Sequence, residues 1–176
     1  MPIRRRSSIT CQKLSPIVHL WLLRLLVPLG CQRVFIDRHD FRDNAVADIV
    51  GLGDWIDSEF REFKPKAVRL ELRQIHKDAE QKWRDAELPS SLRGNIARLS
   101  KLVGLSDTDC RILEFAAMIQ NEQVLNDAAD WLGQLSSVKM FHALSVLLAI
   151  PESAIRSSLS AQSLSLIHIS EPTRPY

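Results

Sequence analysis

Residues 65–86 read PKAVRLELRQIHKDAEQKWRDA. Within them Val68, Leu72, Ile75, Ala79 and Trp83 step by four, three, four and four residues, the period of one helix face. Arg69, Glu71, Arg73, Lys77, Asp78, Glu80, Lys82 and Arg84 fill the other faces, and Pro65 suits a first helical turn, where its missing N–H costs nothing. The spacing predicts a solvated helix laid across a core. A short coiled-coil arm is the alternative, with room for at most three heptads.

Helix punctuation recurs on both sides. Towards the carboxy terminus, Leu88-Pro89-Ser90-Ser91 breaks the chain before a helix that runs to Val103 and stops at Gly104. Ser106 with Asp109 forms a weakened capping box for a helix from Asp107 to Ile119. Glu122 to Leu132 ends at Gly133, Ser136 or Ser137 caps Val138 to Ala149, and Pro151 opens a short turn through Leu159. A common core is expected from Ile112, Phe115, Ala116, Ile119, Leu125, Ala128, Trp131, Leu132, Phe141, Leu144, Leu147 and Leu148. Towards the amino terminus, a helix from Pro16 to Leu29 closes at Gly30. A shorter one, capped by Asp43 or Asn44, carries Val46, Ile49 and Val50 up to Gly51-Leu52-Gly53. No stretch alternates apolar and polar residues long enough to demand a strand.

The expected fold is therefore an all-α, multi-helix array, with a division into two small subdomains near residue 89 as an option. In that scheme 1–15 is a disordered leader, 16–87 a helical subdomain, 88–160 a compact helix-turn-helix-like subdomain and 161–176 an unstructured tail. Composition agrees, since 45% apolar and 25% charged residues are ordinary for a globular chain. The net charge of +2 gives no mandate for nucleic acid or anionic lipid. It is unevenly spread: residues 1–104 carry 19 basic and 13 acidic groups, residues 105–160 carry 3 and 7.

Arg4, Arg5 and Arg6 ahead of the apolar stretch Ile17–Leu29 imitate a secretory signal, and Leu29-Gly30-Cys31 imitates a lipoprotein cleavage site. His19 and Arg24 interrupt the stretch, however, and Pro28 stands where leucine would be wanted. An amphipathic buried helix behind a frayed basic leader is the plainer reading, and a cytoplasmic location follows from it. Three dispersed cysteines, Cys11, Cys31 and Cys110, suit neither a disulfide framework nor a metal knuckle. The histidines form no clustered ligand set, so no metal site is expected.

Catalytic chemistry is equally sparse. None of the six glycines is followed by Lys, so no phosphate-cradling GxxxxGK[ST] loop exists, and Gly51-Leu52-Gly53 is better read as a helix stop. Arg38-His39-Asp40 and the Asp54/Asp57 pair contain acid–base groups but read as a solvated corner and as loop residues. Glu122 to Gly133, a short turn and Val138 to Ala149 imitate a helix-turn-helix, yet the second helix offers only Lys139 and His142 to phosphates. Trp55, Phe60 and Phe63 crowd one loop-rich stretch and are candidate partner-contact residues; closing a gap between helical layers is their other use.

Two sets of blocks carry a resemblance. The segment from His19 to Gly30, continuing through Phe35-Ile36-Asp37-Arg38-His39-Asp40-Phe41 to Gly51-Leu52-Gly53-Asp54-Trp55, resembles the amino-terminal region of large bacterial AAA-family ATPases. So do Asn95–Leu99, Leu105-Ser106, Arg111–Phe115, Leu135-Ser136 and Leu147–Glu152, and together they span about residues 18–160. The resemblance implies an intact parent that binds and hydrolyses ATP with Mg2+ to remodel a partner. This chain would be its non-catalytic accessory region, contacting a protein substrate or adaptor, its own ATPase module, or further copies in a homo-oligomer. Nucleic acid and membrane are not expected partners; a helix-turn-helix DNA-binding regulator is the alternative function. No Walker or arginine-finger position lies in this sequence, so no catalytic, cofactor-binding or metal residue is carried over. Leader residues 1–15 have no counterpart and Cys31 stands where a small residue is expected, which points to a later start codon. Leu164–Arg174 resembles the conceptual translation of a transposase-type sequencing adapter, so an artefactual tail on a fragment is expected there.

Overall fold

The computed structural model describes residues 14–56 and 62–169, with side chains described through 160. Nearly all of the expected leader, Phe60 within the aromatic stretch and the end of the expected tail lie outside the described residues. Among the described residues the fold is all-α, and the only extended pairing is one antiparallel bridge between Ile36 and Phe41.

Helix α1, Pro16–Leu26, is the centre. Every residue from Leu20 to Leu26 is buried, Arg24 included. A helix apolar on nearly all sides can be satisfied only by neighbours on all sides, and α4, α7 and α8 provide them. The amphipathic reading of this segment is thereby corrected. The helix also stops short of Leu29: Val27 is still helical, but Pro28 has no N–H to donate to Arg24 O, and Leu29 N donates there instead at 3.2 Å. Gly30 then turns the chain at φ 81°. The one-turn helix α2, Gln32–Phe35, follows, too short to leave a periodic signal in the sequence.

Helix α3, Asn44–Ile49, begins at Asp43, whose carboxylate accepts from the backbone N–H groups of Ala45 and Val46 at 2.8 and 3.1 Å. A short 3-10 turn, Gly53–Trp55, leads away from it. Helix α4, Pro65–Lys82, buries Val68, Leu72 and Ala79 and packs on α1, so it lies across the core and is no free coiled-coil arm. Helix α5, Ser90–Val103, packs chiefly on α6, Asp107–Asn121, whose capping box of Ser106 and Asp109 forms as expected. Helix α7, Gln123–Ala129, passes through a 3-10 turn, Asp130–Leu132, to α8, Ser137–Leu148. Ala116, expected in the core, is exposed.

Helix α9 spans Glu152–Ile169, well past Leu159, so the short turn expected after Pro151 is the start of a longer helix. The sequence gives the reason: no glycine or proline interrupts the chain between Glu152 and Ile169, and extending an existing helix is far easier than nucleating one. The buried cluster also runs without a break across Leu88-Pro89, since α1 touches α4 on one side of that junction and α7 and α8 on the other.

Helices α5 and α8 end by the same device. At α5, Gly104 takes the left-handed conformation at φ 72°, and the Ser100 hydroxyl donates to Leu105 O at 3.1 Å. At α8 the corresponding residues are Ala149 at φ 53° and Ser145, whose hydroxyl donates to Ile150 O at 2.7 Å. A Cβ is costly in that conformation, whereas glycine bears no such cost but loses more freedom on folding. Ala149→Gly is therefore expected to raise stability by about 1 kcal/mol, read as a higher midpoint in urea; an unchanged or lower midpoint would count against a strained helix end.

Candidate functional site

A buried, fully engaged guanidinium belongs to the most apolar helix. Arg24 is 8% exposed. Its Nε and Nη2 donate to the two carboxylate oxygens of Glu80 at 2.6 and 2.8 Å, and Nη1 donates to Leu147 O at 2.6 Å. The planar fork of the guanidinium matches the carboxylate, which a lysine in that place would not. One side chain thus ties α1 to α4 and to the end of α8. Arg111 Nη2 donates to the next carbonyl, Leu148 O, at 2.8 Å, so two cations meet the negative end of α8.

His76 lies one helical turn before Glu80, with Nε2 3.3 Å from Oε1. The hydrogen bond from Arg24 holds the Glu80 carboxyl below the usual range, against the opposing effect of burial. Burial holds His76 below the usual histidine range despite the carboxylate beside it. His19 is lowered for the same reason and lies against Trp83 with ring centroids 4.7 Å apart and planes tilted by 46°. His19 and Trp83, with Val50, Gly51, Ile75 and Ala79, form an apolar-walled groove of about 290 Å³ rimmed by Asp78 and Lys82. It offers apolar contact and a neutral imidazole.

The expected contact aromatics belong to a row of rings. Trp131 stacks on Phe35 and Phe35 on Phe41, at 5.5 and 5.2 Å between centroids. Phe41 meets Phe63 edge-on at 5.1 Å, and Phe63 meets Trp55 edge-on at 6.2 Å. Trp55 is 6% exposed, and its Nε1 donates to Glu71 Oε2 at 2.9 Å. Trp55 is thus packed into the row, and Phe63 is half-buried beside it. The row was invisible in the sequence because its members come from α2, two loops and two 3-10 turns.

Other suspected chemistry is dispersed. Arg38, His39 and Asp40 are exposed in a bend, and Asp54 is exposed in the 3-10 turn; Asp57 is outside the described residues. Gly53 sits against Asp48, whose Oδ1 would stand 2.7 Å from a Cβ there, so a carboxylate occupies ground that a bound phosphate would need. Cys31 is buried, and burial pushes its thiol up to about 11, which keeps it protonated and a poor nucleophile. On α8, His142 Nδ1 lies 3.9 Å from Glu152 Oε2, and Arg156 of α9 pairs with Glu152 and covers the Phe141 ring. Among the described residues no three His, Cys, Asp or Glu side chains are grouped to hold a metal ion, and no helix is long and apolar enough to cross a membrane.

The chain matches no family model, no curated protein and no solved structure.

The Arg24 junction makes an asymmetric prediction. Glu80→Ala strands a buried guanidinium and is expected to cost about 2 kcal/mol. Arg24→Met leaves a carboxylate that water can reach and should cost clearly less; equal costs would contradict the geometry. Acid should destabilise in two stages. Below about pH 6.5 the unfolded chain takes up protons that His19 and His76 resist when folded, and below about pH 4.3 the contribution of ionised Glu80 is lost as well. His76→Gln should weaken the first stage in a urea midpoint against pH profile and leave the second.

Proposed function

We propose that this chain is the non-catalytic amino-terminal accessory region of a AAA-family ATPase and that it works by protein contact. The observation that carries the contact half of this reading is α5. It buries Ile96 alone, whereas Leu99, Leu102 and Val103 stand 41%, 82% and 61% exposed along its second half. Single exposed apolar residues are ordinary, but adjacent ones on one helix end are the mark of an interaction surface.

The family half rests on the sequence blocks. The block from His19 to Gly30 provides the buried centre, and the blocks Arg111–Phe115 and Leu147–Glu152 meet in the hydrogen bond from Arg111 to Leu148. Residues far apart in the chain thus form one joint. ATP and Mg2+ belong, in this reading, to a separate module. The carboxylate beside Gly53 speaks against nucleotide at the glycine pair of this chain.

Long-read sequencing of the locus through codon 164 tests the parentage. The frame is expected to run on into a GxxxxGK[ST] loop, and a stop codon near Ser163 overturns the assignment to an ATPase. For the chain itself, titration with a fluorescent ATP analogue and Mg2+ is expected to show no saturable binding in the micromolar range. Saturation there would overturn the non-catalytic role.

A further inference from the structure

We propose that the groove where α1, the end of α3 and α4 meet binds a free aromatic amino acid. Its ring lies on the apolar walls, and its α-ammonium and α-carboxylate meet Asp78 and Lys82 at the rim. This goes beyond protein contact, and the exposed end of α5 takes no part in it.

The walls set the body of the ligand. Ile75 and Ala79 supply the face of α4, Val50 stands at the end of α3, and the rings of His19 and Trp83 complete the lining. Gly51, at φ 88°, puts no side chain beside Ile75. Burial holds His19 below the usual histidine range, so its imidazole is uncharged at neutral pH and the walls are neutral. At about 290 Å³ the groove stands at the lower limit of ligand pockets, about 300–1,000 Å³, which suits a single ring system and is too small for a nucleotide. Two rings in the lining favour an aromatic body, since ring pairs gain beyond the area they bury.

The rim sets the polar end. Asp78 and Lys82 are both exposed on α4 and one helical turn apart, about 6 Å along its axis at 1.5 Å per residue, a spacing that lets acid and base pair. They do not pair with each other. Asp78 accepts from Gln74 Nε2 at 2.8 Å, and Lys82 Nζ lies 5.6 Å from the centre of the Trp83 ring. Among the described residues neither is in an ion pair. A ligand that brings an ammonium and a carboxylate together answers both charges. A free amino acid carries the two on one carbon, whereas the first residue of a peptide keeps the ammonium alone and the last keeps the carboxylate alone. An uncharged apolar molecule leaves both rim charges unmatched.

L-tryptophan is the probe, titrated against the full chain by calorimetry and by thermal melting. L-tryptophanamide lacks the carboxylate and mimics the start of a peptide; N-acetyl-L-tryptophan lacks the ammonium and mimics its end; indole lacks both. Saturable binding of L-tryptophan in the millimolar range is expected, with a melting midpoint that rises as ligand is added. The amide and the acetyl form should each bind about threefold more weakly, and indole more weakly still. In Lys82→Gln, L-tryptophan should fall to the affinity of the amide, and in Asp78→Asn to that of the acetyl form. Both positions are exposed, so the variants should fold, which the melting curves check. Absence of saturation by L-tryptophan overturns the proposal. Indole binding as tightly as L-tryptophan overturns it as well, leaving an unselective apolar groove. Preference for the amide or the acetyl form overturns it in favour of a peptide end. Full affinity for L-tryptophan in both variants puts the binding elsewhere and is equally fatal.

Discussion

A guanidinium in the middle of an apolar helix sets the terms for this fold. Unpaired, such a charge would cost several kcal/mol of desolvation, roughly the stability of a small domain. It is tolerated because Glu80 meets it with both oxygens and the last turn of α8 offers a carbonyl. Those partners have directions as well as distances, so they fix the rotation of α1 about its axis. Leucine contacts alone would allow several rotations of nearly equal energy. The ion pair selects among packings that burial makes comparably stable.

Polar contacts at helix ends extend the same logic outward. Arg24 and Arg111 converge on successive carbonyls of α8, and Asp109 serves both the start of α6 and Ser158 of α9. Each joins elements distant in sequence at the place where helical backbone is left unpaired. The Ser158 contact and the capping bonds hold Asp109 below the usual carboxylate range, so it remains ionised and able to accept at both places. The aromatic row serves a similar end by apolar means, joining irregular segments that no regular element spans.

The helices were largely legible because their signals are local. Pro65 and the stripe from Val68 to Ala79, the Ser106–Asp109 box and the Gly104 stop are each decided within one or two turns. What escaped was whatever depended on distant neighbours. Nothing local says that α1 would be enclosed on every side, and its one charge reads only as an interruption until Glu80, 56 positions away, stands beside it. Trp55 looked available for contact because its partner Glu71 lies on another helix. The exposed end of α5 was hidden for the converse reason: its apolar spacing continues past the point where α6 stops covering it. Ala149 was missed as a left-handed residue because sequence reasoning looks for glycine there.

Burial of α1 also has a consequence for synthesis. Arg24 and Leu147 are 123 residues apart. At roughly 5–20 residues per second, the leucine-rich helix leaves the ribosome about 6–25 s before the helix that covers it has been made. Through that interval it lacks at least the cover of α8 and lies behind a cluster of arginines, the form that chaperones and export factors both recognise. Its likeness to a secretory signal is therefore a property of the nascent chain, and Arg24 and His19 are the residues that moderate it until the carboxy-terminal helices arrive.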